Sequence, residues 1–141
     1  MIYKDYLKTV SECPFCAVKQ RIIKENDRAY LTYSIAPYHP DHLLIVPKRH
    51  IEHILDVTSE EMADIDALVR KGLEALKSLG HTNMSVLAKE GDFTEKSIPH
   101  VHYHVIPDVL LETSDHLGAE RRVMTEEEIS SFLSRMSRVV S

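Results

Sequence analysis

The sequence has no long apolar run and no excess of basic side chains. Its 22 acidic side chains outnumber the 17 basic ones, which gives a net charge of −5 over 141 residues. A broad electrostatic surface for DNA or RNA is therefore not expected, although a small anionic ligand needs only a locally positive pocket. No apolar segment has the length that spans a bilayer, and the opening MIYKDYLK lacks the layout of a signal peptide. We expect a cytoplasmic protein with no membrane or nucleic-acid partner.

Cysteine is also scarce. The chain has 2 cysteines, Cys13 and Cys16, which stand together in the segment CPFC. In a reducing compartment this spacing favours metal ligation or redox chemistry over a structural disulfide. A thioredoxin-like motif would require a βαβ context that the neighbouring sequence does not provide. The spacing alone leaves metal ligation and two merely buried thiols as open alternatives.

Hydrophobic patterns predict strands mixed with separate helices. Runs rich in β-branched and aromatic residues predict strands over 28–35, 42–48, 83–89 and 98–107, of which the almost wholly apolar 42–48 is typical of a central strand. Apolar residues at helical spacing predict a short helix over 15–26, a long helix from Thr58 to near Gly80, and a C-terminal helix after Thr125. Glu61 and Glu128 stand three residues after the two threonines and complete capping boxes. The pattern favours one α+β domain with a mainly antiparallel sheet.

The segment IPHVHYHVIP at 98–107 carries three histidines at alternating positions. In a strand, His100, His102 and His104 would share one face, while Val101 and its alternating apolar partners would face the core. An affinity tag would be contiguous and terminal, and this row is neither. The pattern therefore predicts three titratable rings on a surface that meets a ligand.

Single histidines elsewhere carry no predicted role. His39, His53, His81 and His116 are interpreted as surface or locally hydrogen-bonded residues.

The segment HVHYHVI resembles the signature of the histidine triad family, His-x-His-x-His followed by two apolar residues. HLLIVPKRH at 42–50 resembles the second signature strand of the family, and CPFC resembles the cysteine pair of its zinc-containing members. The resemblance covers 13–107, and 108–141 is interpreted as a loop and helix of the same single domain, 1–141. It implies a five-stranded sheet with one long helix and additional short helices, and a homodimer in which two sheets join into ten strands.

The resemblance also implies a function and catalytic residues. Family members act on the α-phosphate of nucleotides, nucleoside phosphoramidates or dinucleoside polyphosphates, so a small nucleotide is the expected substrate. His102 matches the nucleophile that forms a covalent nucleotidyl intermediate, and His104 matches a donor to the phosphate oxygens. Ser97 matches a residue that supports the phosphate or the leaving group, and His42 matches an orienting histidine. The chemistry is reasonable in itself, because a neutral imidazole is a nucleophile near pH 7 without a separate base.

A structural zinc ion is implied in the same way. Zinc-containing members use the first triad histidine as a ligand, which assigns Cys13, Cys16, His50 and His100 to the metal. Two thiolates and two imidazoles complete tetrahedral zinc with no open position. The ion would then crosslink the N-terminal segment to the histidine-rich strand.

The binding positions depart from the family pattern. Ser34 stands where members that hold a ribose usually have aspartate, and a hydroxyl lacks the paired acceptors of a carboxylate. Lys89 and Lys96 replace usual family residues near the triad and are candidates to meet a longer polyphosphate. Phe15, Tyr33 and Ile35 are candidates for an apolar nucleoside pocket. Arg121 and Arg122, just before the last helix, have no assigned role.

Two other functions remain open from the sequence. In the first, His100, His102 and His104 would bind a catalytic zinc ion together, as in metallohydrolases. In the second, the altered pocket would make the protein a nucleotide-binding module with little turnover.

Overall fold

The computed structural model describes residues 1–16, 21–91, 98–108 and 121–140. The strands are β1 Lys24–Glu25, β2 Ala29–Tyr33, β3 Leu43–Pro47, β4 Met84–Ala88 and β5 Tyr103–Pro107. The helices are α1 Tyr3–Lys8, α2 Ser59–Ser78 and α3 Glu126–Met136, and a 3₁₀ turn spans Ile54–Asp56. The strands form one sheet in the order β1-β2-β3-β5-β4, and every neighbouring pair is antiparallel. The predicted α+β class with a five-stranded antiparallel sheet is confirmed.

Strand β3 lies at the centre of the sheet, as its apolar sequence predicts. All five of its residues are buried. Leu43 and Ile45 face the core beneath α2, while Leu44 and Val46 face a second apolar cluster with Phe15 on the other side of the sheet. Because side chains alternate along a strand, burial on both faces requires this continuous apolar run.

The two longer helices begin where the sequence predicts. Thr58 accepts from the N–H of Glu61 and Thr125 accepts from that of Glu128, and both capping boxes are complete. Helix α2 ends before Gly80, whose φ of 98° is the left-handed conformation that glycine adopts without strain. α2 packs against β2, β3 and β5 and covers one face of the sheet. Among the described helices, none is both long and apolar enough to cross a membrane.

The predicted helix over 15–26 is wrong for the part that the structure describes. Arg21 to Ile23 are not helical, and Lys24–Glu25 form β1, whereas 17–20 lie outside the described residues. The N–H of Ile23 donates to the carbonyl of Leu31 at 2.8 Å, so this segment satisfies its backbone by joining the edge of β2. A helical spacing of apolar residues cannot reveal such a non-local partner.

The histidine-rich strand is shorter than predicted. It begins at Tyr103, so among the three alternating histidines only His104 belongs to the regular strand. The N–H of Val101 donates to the carbonyl of Ile51 at 2.6 Å, outside the sheet ladder. The expectation that all three imidazoles form one row on a strand face is therefore wrong for His100.

A charged cluster joins four parts of the chain beside the sheet. His81, after α2, contacts a carboxylate oxygen of Asp41 at 2.8 Å and also pairs with Asp108 at the end of β5. Arg135 of α3 donates to the other oxygen of Asp41 at 2.7 Å. His39 lies edge-on to His81 with ring centres 5.1 Å apart. The interpretation of His81 as a residue without a role is incomplete, because its ring connects two carboxylates across the fold.

Replacing His81 with glutamine is expected to destabilise the protein mainly at acidic pH. Burial disfavours the imidazolium, but hydrogen bonds to Asp41 and Asp108 outweigh burial and raise the pKa of His81 above its ordinary value. A raised folded-state pKa gives stability that is complete below the unfolded pKa of about 6.5 and is lost as the pH rises through the folded value. Melting temperatures of His81→Gln and wild type should therefore differ by several degrees near pH 6 and converge near pH 9.

The matched control is His53→Gln, because His53 is exposed and pairs with one carboxylate, Glu90. It should change stability little at either pH. A His81→Gln loss that is the same at both pH values would contradict a charged bridge.

Candidate active site and metal cluster

Two buried histidines from neighbouring strands form a hydrogen-bonded pair. His42 immediately precedes β3, and His104 lies in β5 opposite Leu44. The N–H of Tyr38 donates to Nδ1 of His42 at 3.2 Å, and Nε2 of His42 lies 2.9 Å from Nδ1 of His104. Because a backbone N–H only donates, Nδ1 of His42 is the acceptor and Nε2 carries the proton. His42 therefore donates to His104, whose own proton is on Nε2.

Both imidazoles of this pair are neutral at physiological pH. Burial lowers the pKa of His42 to about 3, and the positive charge of Arg121 adds to the effect. Burial also lowers the pKa of His104 well below its ordinary value of about 6.5, with a smaller contribution from the positive charge of Lys89. Nε2 of His104 is consequently a neutral hydrogen-bond donor.

His102 has the opposite tautomer. Its Nδ1 donates to the carbonyl of His100 at 2.7 Å, which places the lone pair of the neutral ring on Nε2. The ring is buried between Phe15 and His104, with both ring centres 4.9 Å away. Two adjacent imidazoles therefore present different chemistry, because Nε2 carries a lone pair in His102 and a proton in His104.

Replacing His42 with phenylalanine is expected to reduce turnover more than replacement with glutamine. Phenylalanine leaves Nδ1 of the buried His104 without its donor, so the His104 ring loses its fixed tautomer. A glutamine amide reaches the position of Nε2 and retains a donor. With the nucleotide substrates that the sequence predicts, we expect kcat to fall by about tenfold to a hundredfold in His42→Phe, with partial recovery in His42→Gln, measured by release of the nucleoside monophosphate. Equal losses in the two variants would contradict the donor role.

The sequence-predicted metal ligands converge at one point. Nδ1 of His100 lies 3.4 Å from the sulfur of Cys13 and 3.6 Å from that of Cys16. Nδ1 of His50 lies 3.2 Å from both the Cys16 sulfur and Nδ1 of His100. Tetrahedral zinc bonds of about 2.0 to 2.3 Å require ligand atoms about 3.3 to 3.8 Å apart. The four residues therefore fit a tetrahedral metal ion with small adjustments.

The Nε2 atoms of His50 and His100 point away from the cluster centre, and their contacts suit histidines that bind a metal through Nδ1. Nε2 of His100 donates to the carbonyl of Pro47 at 2.8 Å, and Nε2 of His50 lies 3.7 Å from a carboxylate oxygen of Glu52. Such outer contacts fix the ring orientation of metal-bound histidines. Burial raises the pKa of the Cys16 thiol to about 11, and the neighbouring Cys13 contributes to this rise. A bound dication would supply the charge that two adjacent thiolates need.

The three-histidine catalytic metal site does not match this geometry. His100 points to the two cysteines, while Nδ1 of His102 and Nδ1 of His104 contact a carbonyl and His42 respectively. Within the described residues, the possible metal-binding groups are the Cys13 cluster and a group of His39, His81 and Asp108. Neither group contains His102 or His104.

A small cavity of about 20 Å³ lies against His102 and His104. Phe15, Ser34 and Ile35 contribute to its wall, so the structure brings these three predicted residues together, and their role in holding a nucleoside stays a prediction. The expectation for Tyr33 is wrong, because this side chain packs in the core on the opposite face, against Phe132 with ring centres 5.4 Å apart. Tyr33 is the last residue of β2 and its side chain is held in the core, whereas Ser34 and Ile35 follow the strand and reach the cavity.

Tyr3 and Arg21 are among the cavity-wall residues that sequence reasoning missed. Tyr3 reaches it from α1, a helix that was not predicted, and Arg21 reaches it from the segment before β1. Arg21 donates through Nη2 to the carbonyl of Tyr33 at 3.1 Å. In the described part of the chain, its Nε is a buried donor without a hydrogen-bond acceptor. The sequence showed only that Arg21 is cationic. It could not distinguish this arginine in a cavity wall from an arginine on the surface.

Of the other predicted binding residues, the structure describes Lys89 alone. Its charge acts on His104. Lys96 and Ser97 lie outside the described residues.

This chain is similar to several known proteins. A family model described as HIT domain matches residues 17–109. The adenosine 5′-monophosphoramidase of Schizosaccharomyces pombe is 29% identical over 130 residues, which cover 89% of this chain and 96% of that protein. An asymmetrical bis(5′-nucleosyl)-tetraphosphatase of the same organism is 29% identical over 75 residues, 52% of this chain and 41% of that protein.

A solved structure provides a separate comparison of the fold. A zinc-bound histidine triad family protein from Mycobacterium smegmatis superposes with a TM-score of 0.67 at 22% identity, covering 90% of this chain and 94% of that one. At this level of identity the likeness concerns the fold.

Proposed function

This chain belongs to the HIT domain family, and we propose that it hydrolyses or transfers nucleotides at the α-phosphate through a covalent intermediate on His102. Nucleoside phosphoramidates and dinucleoside polyphosphates are the proposed substrate classes. Relatives named for action on such compounds support this choice. The observation that carries the proposal is the pair of opposite tautomers in one cavity, with a lone pair on Nε2 of His102 and a proton on Nε2 of His104.

The two histidines have separate tasks in the proposed reaction. The lone pair on Nε2 of His102 attacks phosphorus, a nitrogen–phosphorus bond forms, and the bond to the leaving group breaks. The product ring carries a positive charge, which the carbonyl of His100 stabilises through the Nδ1 hydrogen bond. His104 donates from Nε2 to a phosphoryl oxygen as charge develops there. Water or another acceptor hydroxyl then attacks phosphorus and loses its proton to solvent, and the nitrogen–phosphorus bond breaks with its electron pair returning to Nε2, which restores neutral His102.

We propose zinc as the metal of the four-residue cluster. Its ligands would be Cys13, Cys16, His50 and His100, and a filled tetrahedral shell gives the ion a structural task. His100 belongs to both systems, because its ring faces the cluster and its carbonyl accepts from His102. Occupation of the cluster would therefore stabilise the backbone that orients the nucleophile.

Substrate binding requires the small cavity to enlarge. A volume of about 20 Å³ is far below the size of a nucleoside pocket. Tyr3 is the wall residue contributed by the N-terminal helix. Ser34 offers one hydroxyl at a position where a carboxylate would accept hydrogen bonds from both ribose hydroxyls. We therefore propose that substrates lacking a ribose hydroxyl are accepted nearly as well as those with an intact ribose. Ser97, Lys89 and Lys96 remain candidates for phosphate contacts.

A homodimer is also part of the proposal. β4 is an edge strand of the sheet, and Val86 in its middle is 46% exposed. An exposed edge pairs readily with a second copy of itself, which would join two sheets into ten strands.

Intact-protein mass spectrometry tests the proposed function. Wild type mixed briefly with adenosine 5′-phosphoramidate, then quenched, is expected to gain the mass of one adenylyl group. His102→Asn should gain none, because asparagine can retain the donor to His100 but has no nucleophilic nitrogen. Equal labelling of both proteins would reject His102 as the nucleophile.

Turnover without any adduct in a quenched-flow time course would reject the covalent route. Binding of the compound without turnover over a panel of phosphoramidates and dinucleotides would favour a binding module.

A further inference from the structure

A second and larger cavity lies next to the catalytic one. Its volume is about 580 Å³, within the range of small-molecule sites. The loop between β2 and β3 forms one side through Tyr38, and α3 with the residues before it forms the other. Arg121, Arg122 and Arg135 all line this cavity. The proposed reaction at His102 assigns no role to this larger cavity.

A stack of three side chains separates the two cavities. The guanidinium of Arg121 lies between two rings, 4.7 Å from the centre of Tyr3 and 4.6 Å from that of Tyr38. Tyr3 lines the catalytic cavity, whereas Tyr38 and Arg121 line the larger one. The N–H of Tyr38 also donates to His42. Through Tyr38, the wall of the larger cavity therefore contacts His42 of the buried histidine pair.

The three arginines differ in their partners. Arg122 binds Glu128 through two contacts of 2.6 and 2.8 Å, and Arg135 binds Asp41 at 2.7 Å. Arg121 donates to the carbonyl of Ala36 at 3.1 Å, and no carboxylate of the described residues pairs with it.

The charge of Arg121 remains available to an anion, and it already acts on the catalytic pair. After burial, it is a further cause of the lowered pKa values of His42 and His104. An anionic leaving group that moves from the catalytic cavity toward the larger one would meet this guanidinium at the boundary between them.

We propose that the 580 Å³ cavity is a leaving-group subsite and that the leaving group is a nucleoside polyphosphate. The proposal rests on the proposed function at His102. Phosphates beyond the scissile bond would pass Arg121, which is suited to phosphate oxygens by its planar donors. Tyr38 contributes an aromatic side chain to the wall of this cavity, where the nucleoside of the leaving group would lie. The bond broken is the one between the α-phosphorus and its bridging oxygen, and the oxygen departs with the polyphosphate.

This arrangement predicts that substrates with the same adenylyl group are distinguished by their leaving groups. Ammonia, which leaves from a phosphoramidate, is too small to reach the larger cavity. A nucleoside triphosphate, which leaves from diadenosine tetraphosphate, would occupy it. The ratio of the two kcat/KM values therefore reports on the subsite and cancels effects on His102.

The first test fills the cavity. Ser131 lies on α3 in the cavity wall, and Ser134 lies on the same helix, exposed and away from the wall. Ser131→Trp is expected to lower kcat/KM for diadenosine tetraphosphate relative to adenosine phosphoramidate by about tenfold or more, the cost of excluding a bound group. The matched variant Ser134→Trp should leave the ratio unchanged. Thermal melting confirms that both variants fold.

The second test replaces a negative charge in the cavity wall with a positive one and changes the side-chain size little. Glu127 lines the cavity and Glu126 does not, although both lie in the first turn of α3. Glu127→Lys should raise the same ratio several-fold at low salt, and added salt should remove the gain. Glu126→Lys has the same cost at the helix N-terminus and should not change the ratio.

Each outcome has a defined meaning. Selective changes in Ser131→Trp and Glu127→Lys support the subsite. An unchanged ratio in both variants, with wild type active on both substrates, would overturn the subsite and leave the proposed function intact. Wild type inactive on both substrates would reject the proposed function itself, and the subsite proposal with it.

Discussion

His102→Asn is expected to lower kcat/KM for adenosine phosphoramidate by at least about a thousandfold, as loss of a covalent nucleophile does in other enzymes. The asparagine amide occupies the position of Nδ1 and can still donate to the carbonyl of His100, 2.7 Å from Nδ1 in the wild type. The variant therefore removes Nε2 with little change in local structure. Initial rates of release of the nucleoside monophosphate, with the melting temperature as a check on folding, measure the effect.

A matched control for this variant is His53→Asn, which replaces an exposed histidine away from the cavity. It should retain nearly full activity. A His102→Asn protein within tenfold of wild type would reject nucleophilic catalysis at this residue and with it the proposed mechanism.

Loss of the metal cluster is expected to have the largest effect on stability. Cys13→Ala removes one of four converging ligand atoms, and a structural zinc site contributes its binding energy to folding. We expect the melting temperature to fall by about 10 °C or more in Cys13→Ala and in chelator-treated wild type. Differential scanning calorimetry, together with metal analysis of the purified protein, measures both changes.

The metal content also separates the two possible metal-binding groups. Wild type should contain one zinc per chain, and His81→Gln should contain the same, because His81 belongs to the other group with His39 and Asp108. Readdition of zinc should restore the melting temperature of chelated protein. Full stability without metal would contradict a structural ion, and adenylylation that survives chelation in still-folded protein would oppose catalytic zinc.

Much of the fold could be predicted from local sequence. The capping boxes at Thr58 and Thr125 are complete within four residues, so each helix start is encoded locally. β3 was predictable because its almost wholly apolar sequence matches a strand that is buried on both faces. The region before β1 was predicted wrongly, because its backbone partner Leu31 is supplied by another segment. Helical spacing contains no information about that partner.

The sequence by itself determined which residue types are available: a Cys-x-x-Cys pair, alternating histidines, and His42 and His50 at the two ends of one signature segment. Their chemical roles depend on separations that only the tertiary structure decided. The donor at Tyr38 and the carbonyl of His100 assign opposite tautomers to His104 and His102, because a hydrogen-bond partner selects which ring nitrogen keeps its proton.

Tertiary packing also decided which side chains share a cavity. Arg21 and Tyr3 are distant in sequence from the triad, and Arg121 is placed between Tyr3 and Tyr38, which are both far from it in the sequence. Such neighbours arise where segments cross in three dimensions, and residue spacing along one chain does not encode that crossing. The histidine pattern thus specified a reactive group, while packing specified what surrounds it.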